Sequence, residues 1–389
     1  MMKKKNILFS CYGLGIGGIE KCLVNLINAL PVDRYDVDVL LMNPEYDFRD
    51  QLRRPVRLLP MFDYVANVHE TLPEIQKRGG ILKNPGLFLR WCLFRLELKF
   101  GKKPWRWFRR LPEHYDVAVA YSQNDLSAYY VIDKVKADRK VFWYHNGAYE
   151  RGGWQYERDR RYYPRFDYAV AVSTDCADVL RERFDFEPGR LIVLRNICDA
   201  QTIRTRAEAF VPDTFRDGPV HIVTVGRMTD EKGAPLALEA CRMLREQGFD
   251  ICWHWVGDGN RGDVIRSTIA EYGLQEHFIL EGNQENPYPY IQKAQIYVQP
   301  SHYEAYSTTV TEARVLARPI VTTDVGGMRD QLTNGENGLI VPIDAEAIAE
   351  AVKRLLTDGE LGSSFTKQLQ NEDFSPKKFL KTYENTVFA

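Results

Sequence analysis

Glu304 and Glu312 stand eight residues apart in the run Gln299-Pro-Ser-His-Tyr-Glu-Ala-Tyr-Ser-Thr-Thr-Val-Thr-Glu-Ala-Arg314. An apolar strand, Ala294 to Val298, precedes the first carboxylate, and a helical pattern from Thr308 to Ala317 carries the second. A loop that leaves the carboxyl end of a strand and enters a helix N-terminus is where open α/β sheets bind ligands. Carboxylates there accept from hydroxyls and backbone N–H groups receive phosphate, so these residue types suit a polyhydroxylated, phosphorylated ligand. Neither carboxylate holds a position that a core would favour. Thr309-Val-Thr-Glu312 also fits a helix capping box, in which Glu312 would only reach back to the backbone.

A second anion-binding pattern is Val225-Gly226-Arg227-Met-Thr-Asp-Glu-Lys232-Gly233-Ala-Pro235. Arg227 offers a fork of donors and Lys232 a point charge, beside a helix that Pro235 opens, which together make a cradle for a diphosphate. The alternative is a solvated basic loop with Asp230 and Glu231 as local partners. Gly13, Gly15 and Gly18 satisfy the spacing of a dinucleotide-binding turn, but the next strand ends Leu40-Leu-Met42-Asn43 without the carboxylate that would hold a ribose. What survives is a glycine loop, including Gly17 and Gly18, that lets backbone approach a ligand at a positive helix end. His145 follows the apolar Phe142-Trp-Tyr and could hydrogen-bond a sugar or move a proton. Asn196 follows the domain's last strand. Asp36-Val-Asp38 looks like a metal-binding pair, yet it lies in an alternating strand as that strand's solvated face, so no metal site is expected.

The elements that position these groups alternate strand and helix along the whole chain. At 389 residues two domains are expected. In the first half the strands are Asn6–Cys11, Val37–Met42, Val117–Tyr121, Lys140–Tyr144, Tyr168–Val172 and Leu191–Leu194, with helices at Ile19–Leu30 and Asp175–Phe184. Near-continuous apolar runs of this length fit parallel strands buried on both faces. A linker is placed at 196–218, followed by strands His221–Gly226, Ile251–Gly257, Phe278–Glu281, Ile296–Gln299, Pro319–Thr322 and Gly338–Val341. Helices are expected near Pro235, Asp263, Thr308, Met328 and Ala345, and a last one opens at Ser375-Pro376. The net charge of −1 gives no argument for nucleic acid, and the seven cysteines, with no C-x-x-C, read as reduced core thiols of a cytoplasmic protein. No stretch reaches the ~20 apolar residues of a membrane span. Residues 77–110 set eleven cations against one Glu among Leu, Phe and Trp, with Leu87–Phe100 helical, a composition suited to an amphipathic helix on an anionic membrane surface.

Together these elements resemble the retaining glycosyltransferases of the GT-B fold, in the large family 4. The resemblance spans most of the chain and is strongest from Gly226 to Pro342: Gly226-Arg227…Lys232-Gly233, Gln299-Pro-Ser301, Glu304 with Glu312, Pro319-Ile-Val-Thr-Thr-Asp324-Val-Gly-Gly327 and Asn337-Gly338-Leu. It implies two Rossmann-like βα domains facing across a cleft. Residues 1–198 would bind the acceptor, 199–374 the nucleotide sugar, and 375–389 would form a helix crossing back to the first domain. Arg227 and Lys232 would hold the diphosphate and Glu312 the ribose. Glu304 and the backbone of Ala305, Tyr306, Ser307 and Thr308 would hold sugar and phosphates. His145 would lie beside the transferred sugar, Gly17 and Gly18 near the distal phosphate, and Asn196 in the substrate site. Ala305 and Ile197 stand where the family commonly has glycine. The resemblance implies transfer with retention, without metal or other cofactor. The donor is a nucleotide sugar, UDP-sugar by default, and the acceptor a glycan or lipid-linked sugar in surface-polysaccharide assembly, at the inner face of the cell membrane. Two other readings are an epimerase acting on a nucleotide sugar, which would need no acceptor, and a noncatalytic nucleotide-sugar or lipid-binding partner of a transferase.

Overall fold

The computed structural model describes residues 3–15, 17–43, 46–60, 85–123 and 126–389. The chain divides into two compact units, Met1–Ile197 with Phe379–Ala389, and Cys198–Lys378. Each is built on one parallel sheet. In the first, β1 (Lys5–Cys11), β2 (Tyr35–Leu41), β3 (Arg57–Pro60), β4 (His114–Ala120), β5 (Lys136–Tyr144), β6 (Tyr168–Ala171) and β7 (Leu191–Val193) lie in the order β3-β2-β1-β4-β5-β6-β7. In the second, β8 (Val220–Val225), β9 (Ile251–Val256), β10 (Phe278–Gly282), β11 (Ile296–Gln299), β12 (Ile320–Thr323) and β13 (Leu339–Val341) lie in the order β10-β9-β8-β11-β12-β13. Both orders run outward one way, return to the centre and run outward the other way. That is the doubly wound Rossmann plan, and it leaves a crevice beyond the carboxyl ends of the two central strands.

The second sheet shows how the sequence builds its layers. Ile222, Trp253 and Val298 point into one apolar cluster with the helices Ala234–Glu246 and Ala345–Thr357, while Val223, Val256 and Tyr297 point into another with the helices Ala200–Ala207 and Thr308–Val315. Neighbouring residues of a strand face opposite ways, so both faces must be apolar, and the strands read as continuous hydrophobic runs. In the first sheet, Asp36 is exposed and Asp38 half-buried between buried Tyr35, Val37 and Val39. Asp36 pairs with Lys4 on a solvated strand face, as expected, while the Asp38 side chain is largely covered, paired with Arg57 and accepting from Tyr115 Oη at 2.8 Å.

Three expectations are corrected. Residues 200–207, placed in a linker, form a helix capped by Asp199 that buries Ala200, Ile203 and Ala207. No helix begins at Met328, where turns run from Gly326 to Asp330 and Gly327 has a positive φ. The short edge strand β3 was not anticipated. The last helix, Pro376–Thr386, buries Leu380 and Tyr383, and the chain beyond it stays within the first unit. There Phe388 packs edge-on to Phe9, and Lys5 Nζ donates to the Phe388 carbonyl at 3.0 Å. All seven cysteines are free thiols, five of them buried. Among the described residues no helix is long and apolar enough to cross a membrane.

Candidate functional site

In the second unit the crevice predicted by strand order lies beyond β8 and β11, and the loops leaving these strands carry Lys232 and Glu304. Lys232 Nζ donates to Glu304 Oε1 at 2.9 Å, with Glu231 Oε1 at 3.2 Å on its other side. The loops are joined by backbone as well: the His302 N–H donates to the Glu231 carbonyl at 2.8 Å. Gly233 makes this approach possible. Its φ is +72°, and a Cβ there would overlap the Pro300 carbonyl oxygen, so a larger residue would push Lys232 away from Glu304.

Both carboxylates are buried, Glu304 to 8% exposure and Glu312 to 3%, against the expectation that neither would suit a core. A buried carboxylate is tolerated only when hydrogen-bonded or paired, and Glu304 is both. Tyr297 Oη donates to Gln299 Oε1 at 2.6 Å, Gln299 Nε2 to Ser301 Oγ at 2.9 Å, and Ser301 Oγ to Glu304 Oε1 at 2.9 Å. Every donor in that series points toward Glu304. The one oxygen, Oε1, thus receives both the Ser301 hydroxyl and the Lys232 ammonium.

The capping-box reading of Glu312 does not hold. The N-cap of the helix Thr308–Val315 is Ser307, whose Oγ accepts from the Val310 N–H at 3.3 Å. Thr309 turns instead to Gln299 Oε1, donating at 3.0 Å. Glu312, fifth in the helix, is therefore placed by the helix face and not by capping. Of the backbone groups expected to meet phosphate, the Ser307 N–H already donates to Gln331 Oε1 at 2.9 Å, while Gln331 Nε2 returns to the Ser307 carbonyl at 2.8 Å. Gln331 went unnoticed in the sequence because it lies 24 residues from Ser307 in no motif. The first turn of a helix leaves N–H groups without intrahelical partners, and Thr308 opens that turn beside Ala305 and Tyr306. Gly327, with φ +74°, lies so close to this loop that a Cβ there would overlap the Ala305 carbonyl oxygen. Arg227 is more loosely held: its side chain is 70% exposed, with Glu231 at 3.5 Å.

The remaining candidates lie in the first unit. Gly17 caps the helix Gly18–Ala29, and a Cβ on Gly17 would overlap the Glu20 carboxylate. A negative group thus already lies at this helix N-terminus, where it is favoured by the dipole. His145 follows β5 and is buried, with its N–H donating to Gln123 Oε1 at 3.3 Å and its ring 4.7 Å from that of Tyr121. Burial lowers its pKa to about 3 against the pull of a hydrogen bond to the Tyr121 backbone. The ring is therefore neutral at physiological pH and suited to hydrogen bonding, not to shuttling a proton. His145 Nε2 and Asn196 Oδ1 are buried polar atoms with no partner among the described residues. Such atoms are uncommon and call for a ligand or water.

The His145 environment sets a pH dependence. Between about 3 and 6.5 the unfolded chain binds a proton at this residue that the folded chain does not. Its contribution to stability is therefore complete above pH ~6.5 and is lost as pH falls toward ~3. His145→Gln should flatten the decline of the urea unfolding midpoint between pH ~7 and ~4. A decline as steep as that of the wild type would contradict the assignment.

Two family models match adjoining parts of the chain: Glycosyltransferase Family 4 over residues 16–202 and Glycosyl transferases group 1 over residues 205–372. Alpha-D-kanosaminyltransferase of Streptomyces kanamyceticus is 30% identical over 202 residues, 50% of this chain and 52% of that protein. The N-acetylgalactosamine-N,N'-diacetylbacillosaminyl-diphospho-undecaprenol 4-alpha-N-acetylgalactosaminyltransferase of Campylobacter jejuni is 27% identical over 52% of this chain and 54% of its own length. The match thus spans about half the length of each of these curated relatives. Anabaena HepE, solved with UDP and glucose, superimposes with a TM-score of 0.74 over 99% of this chain and 100% of its own, at 14% identity. Its likeness is one of fold. With one model matching each Rossmann-like unit, from the glycine loop at Gly17 to the end of the helix Gly359–Gln370, the chain belongs to the family 4 glycosyltransferases of the GT-B fold.

Proposed function

We propose that this chain is a retaining glycosyltransferase that moves a sugar from a nucleotide sugar, UDP-sugar first among them, to a glycan or lipid-linked acceptor in cell-surface polysaccharide assembly. The observation that carries the proposal is the Lys232–Glu304 pair at 2.9 Å, at the crevice beyond β8 and β11 and next to the N-terminus of the helix Thr308–Val315. Support for the donor comes from HepE, whose structure holds UDP and glucose. Support for the acceptor comes from the Campylobacter relative, whose name specifies a diphospho-undecaprenol substrate. Two relatives are named for α products, which is what retention gives from an α-linked donor.

In this reading Lys232 and Arg227 meet the diphosphate, and the backbone of Ala305, Tyr306 and Thr308 faces its oxygens, the Ser307 N–H being held by Gln331. Glu312 accepts from the ribose hydroxyls and Glu304 from the donor sugar; in the first unit, His145 Nε2 and Asn196 Oδ1 are the buried groups available to hydroxyls. Within the first unit, Gly17 and Gly18 give an anion close access to the backbone at the N-terminus of the helix Gly18–Ala29, where the Glu20 carboxylate now lies. The C1–O bond to the diphosphate breaks, and the acceptor oxygen bonds C1 from the same face. The acceptor's proton passes to the departing phosphate oxygen. Negative charge grows on that oxygen, so cations fixed beforehand stabilise the transition state more than the ground state. This chemistry needs no metal, because Lys232, Arg227 and the helix end supply the positive charge.

Membrane attachment is part of the proposal. Of the 77–110 segment, residues 77–84 lie outside the described residues, and the helix Pro85–Lys99 follows. Phe94 is buried and stacks on Phe108, which anchors the helix. Leu89, Leu93, Leu96 and Phe100 are each at least half exposed. Their spacing of four, three and four residues aligns them in one stripe. With eleven cations against one carboxylate across the segment, an anionic bilayer at the inner face of the membrane fits this stripe.

Lys232→Ala should lower kcat by on the order of 10²–10³-fold with a smaller change in KM, and NMR of the wild-type product should show the α anomer. An unchanged kcat with a raised KM, or a β product, would contradict the mechanism. Leu93→Glu with Leu96→Glu should abolish co-sedimentation with vesicles containing phosphatidylglycerol. Co-sedimentation equal to that of the wild type would show that the stripe does not bind lipid.

A further inference from the structure

A second cluster of reactive side chains lies in the same unit, away from the transfer chemistry. His221 is the second residue of β8, the strand whose other end feeds the Lys232 loop. In the parallel register His221 pairs with Cys252 of β9, and His254 stands two residues further along β9. Side chains paired across a ladder, or two apart on one strand, share a face. The ligand atoms of His221, Cys252 and His254 accordingly lie within 4.8 Å of one another, and all three residues are buried.

The outer nitrogens of both rings are held. His221 Nε2 lies 2.8 Å from the Arg216 carbonyl, and His254 Nδ1 lies 2.7 Å from Glu281 Oε1. A carbonyl only accepts, so His221 Nε2 carries a hydrogen. Glu281 Oε1 also accepts from Thr214 Oγ1 at 2.6 Å, which sets it as an acceptor and gives His254 Nδ1 a hydrogen as well. The inner nitrogens, His221 Nδ1 and His254 Nε2, then turn their lone pairs toward each other across 2.8 Å. Two facing lone pairs repel unless a cation lies between them. Metal-bound histidines are oriented in the same way, with the far N–H donated to a carboxylate or a backbone carbonyl. Phe215 stacks over both rings, with centroids 4.4 and 4.1 Å away.

We propose that His221, His254 and Cys252 form a structural site for one thiophilic d10 cation, zinc(II) in the first instance, with Arg216 and Glu281 orienting the two imidazoles. Two imidazoles and a thiolate are three of the four donors of a tetrahedral zinc site, the fourth falling to a water. The 2.8 Å separation of the inner nitrogens is that of a shared proton. Zinc at ~2.0–2.1 Å from each would part them to ~3.3 Å, a small rotation of either ring. Burial pushes the Cys252 thiol up to about 11, and the thiol now donates to the Glu276 carbonyl at 3.7 Å. Binding converts the thiol to a thiolate and releases its proton. The ion would tie β8 to β9 and, through the outer partners, hold the segment carrying Thr214, Phe215 and Arg216 and the edge strand β10. The sequence offered no metal-ligand spacing here, since 31 residues separate His221 from Cys252.

The test uses the full-length chain without a polyhistidine tag, stripped with EDTA and titrated with cobalt(II). A saturable thiolate-to-cobalt charge-transfer band at one ion per chain, displaced by zinc(II) and lost in Cys252→Ser, is expected. Zinc(II) should also raise the Tm of the stripped wild type. Absence of a saturable band in the wild type, or an equal band in Cys252→Ser, would overturn the proposal. If Cys252→Ser fails to fold, a chain with Cys92→Ser and Cys198→Ser, the two less buried thiols, decides. A retained band leaves the ligand to a buried thiol, as the proposal requires, and a lost band overturns it.

Discussion

The close contact between the loops after β8 and β11 is the constraint on which the donor half of the molecule depends. A lysine and a carboxylate are brought together there with little solvent, the Lys232 side chain 16% exposed and that of Glu304 9%, beside the more open Glu231. Removing such charges from water costs several kcal/mol per ion, and their mutual attraction seldom more than offsets it. The pair is therefore weak as a source of stability. Removing one partner would nonetheless cost about 3–5 kcal/mol, because the other charge stays buried. The arrangement makes sense as preorganisation. Lys232 is held by short contacts before any anion arrives, and the series Tyr297, Gln299, Ser301 fixes Glu304 from behind.

That contact in turn depends on the sheet. Strand order puts β8 and β11 side by side, so their exit loops must meet. Trp255 supports one loop directly, its Nε1–H donating to the Gly226 carbonyl at 3.0 Å. Thr323 Oγ1 supports the other by donating to the Ser301 carbonyl. Side chains buried in the layers thus reach up to hold the backbone of the site. The first unit repeats the strand order but offers different chemistry at its strand ends: a neutral histidine and an asparagine, each with one buried atom that has no partner among the described residues.

Much of this was legible because parallel strands buried on both faces carry apolar runs, and twelve of the thirteen strands among the described residues contain one or, like β2, an apolar alternation. β3 did not, because Arg57-Leu-Leu-Pro60 is short, charged at one end and closed by proline. The helix Ala200–Ala207 was hidden among polar residues, although Ala200, Ile203 and Ala207 behind Asp199 carry helical spacing. Met328, Gln331 and Leu332 mimic such spacing without forming a helix, and the positive φ of Gly327 bends the chain into turns there. At the site, the residue types and order pointed to Lys232, Glu304 and Glu312. Their burial and pairing did not show, because 72 residues separate Lys232 from Glu304. Nor could periodicity reveal that Gln331 occupies the Ser307 amide, or that two histidines and a cysteine converge across a ladder.

The central claim is that the Lys232–Glu304 crevice and the helix bearing Glu312 bind a nucleoside diphosphate. Calorimetric titration with UDP, GDP, ADP, dTDP and NAD, on wild type and Glu312→Ala side by side, tests it most directly. The account predicts micromolar binding of one nucleoside diphosphate, UDP first, weakened at least tenfold in Glu312→Ala, a loss of about 1.4 kcal/mol. Binding of NAD instead, or no binding of any diphosphate, would mean that the two carboxylates are structural and that the crevice is not a donor site.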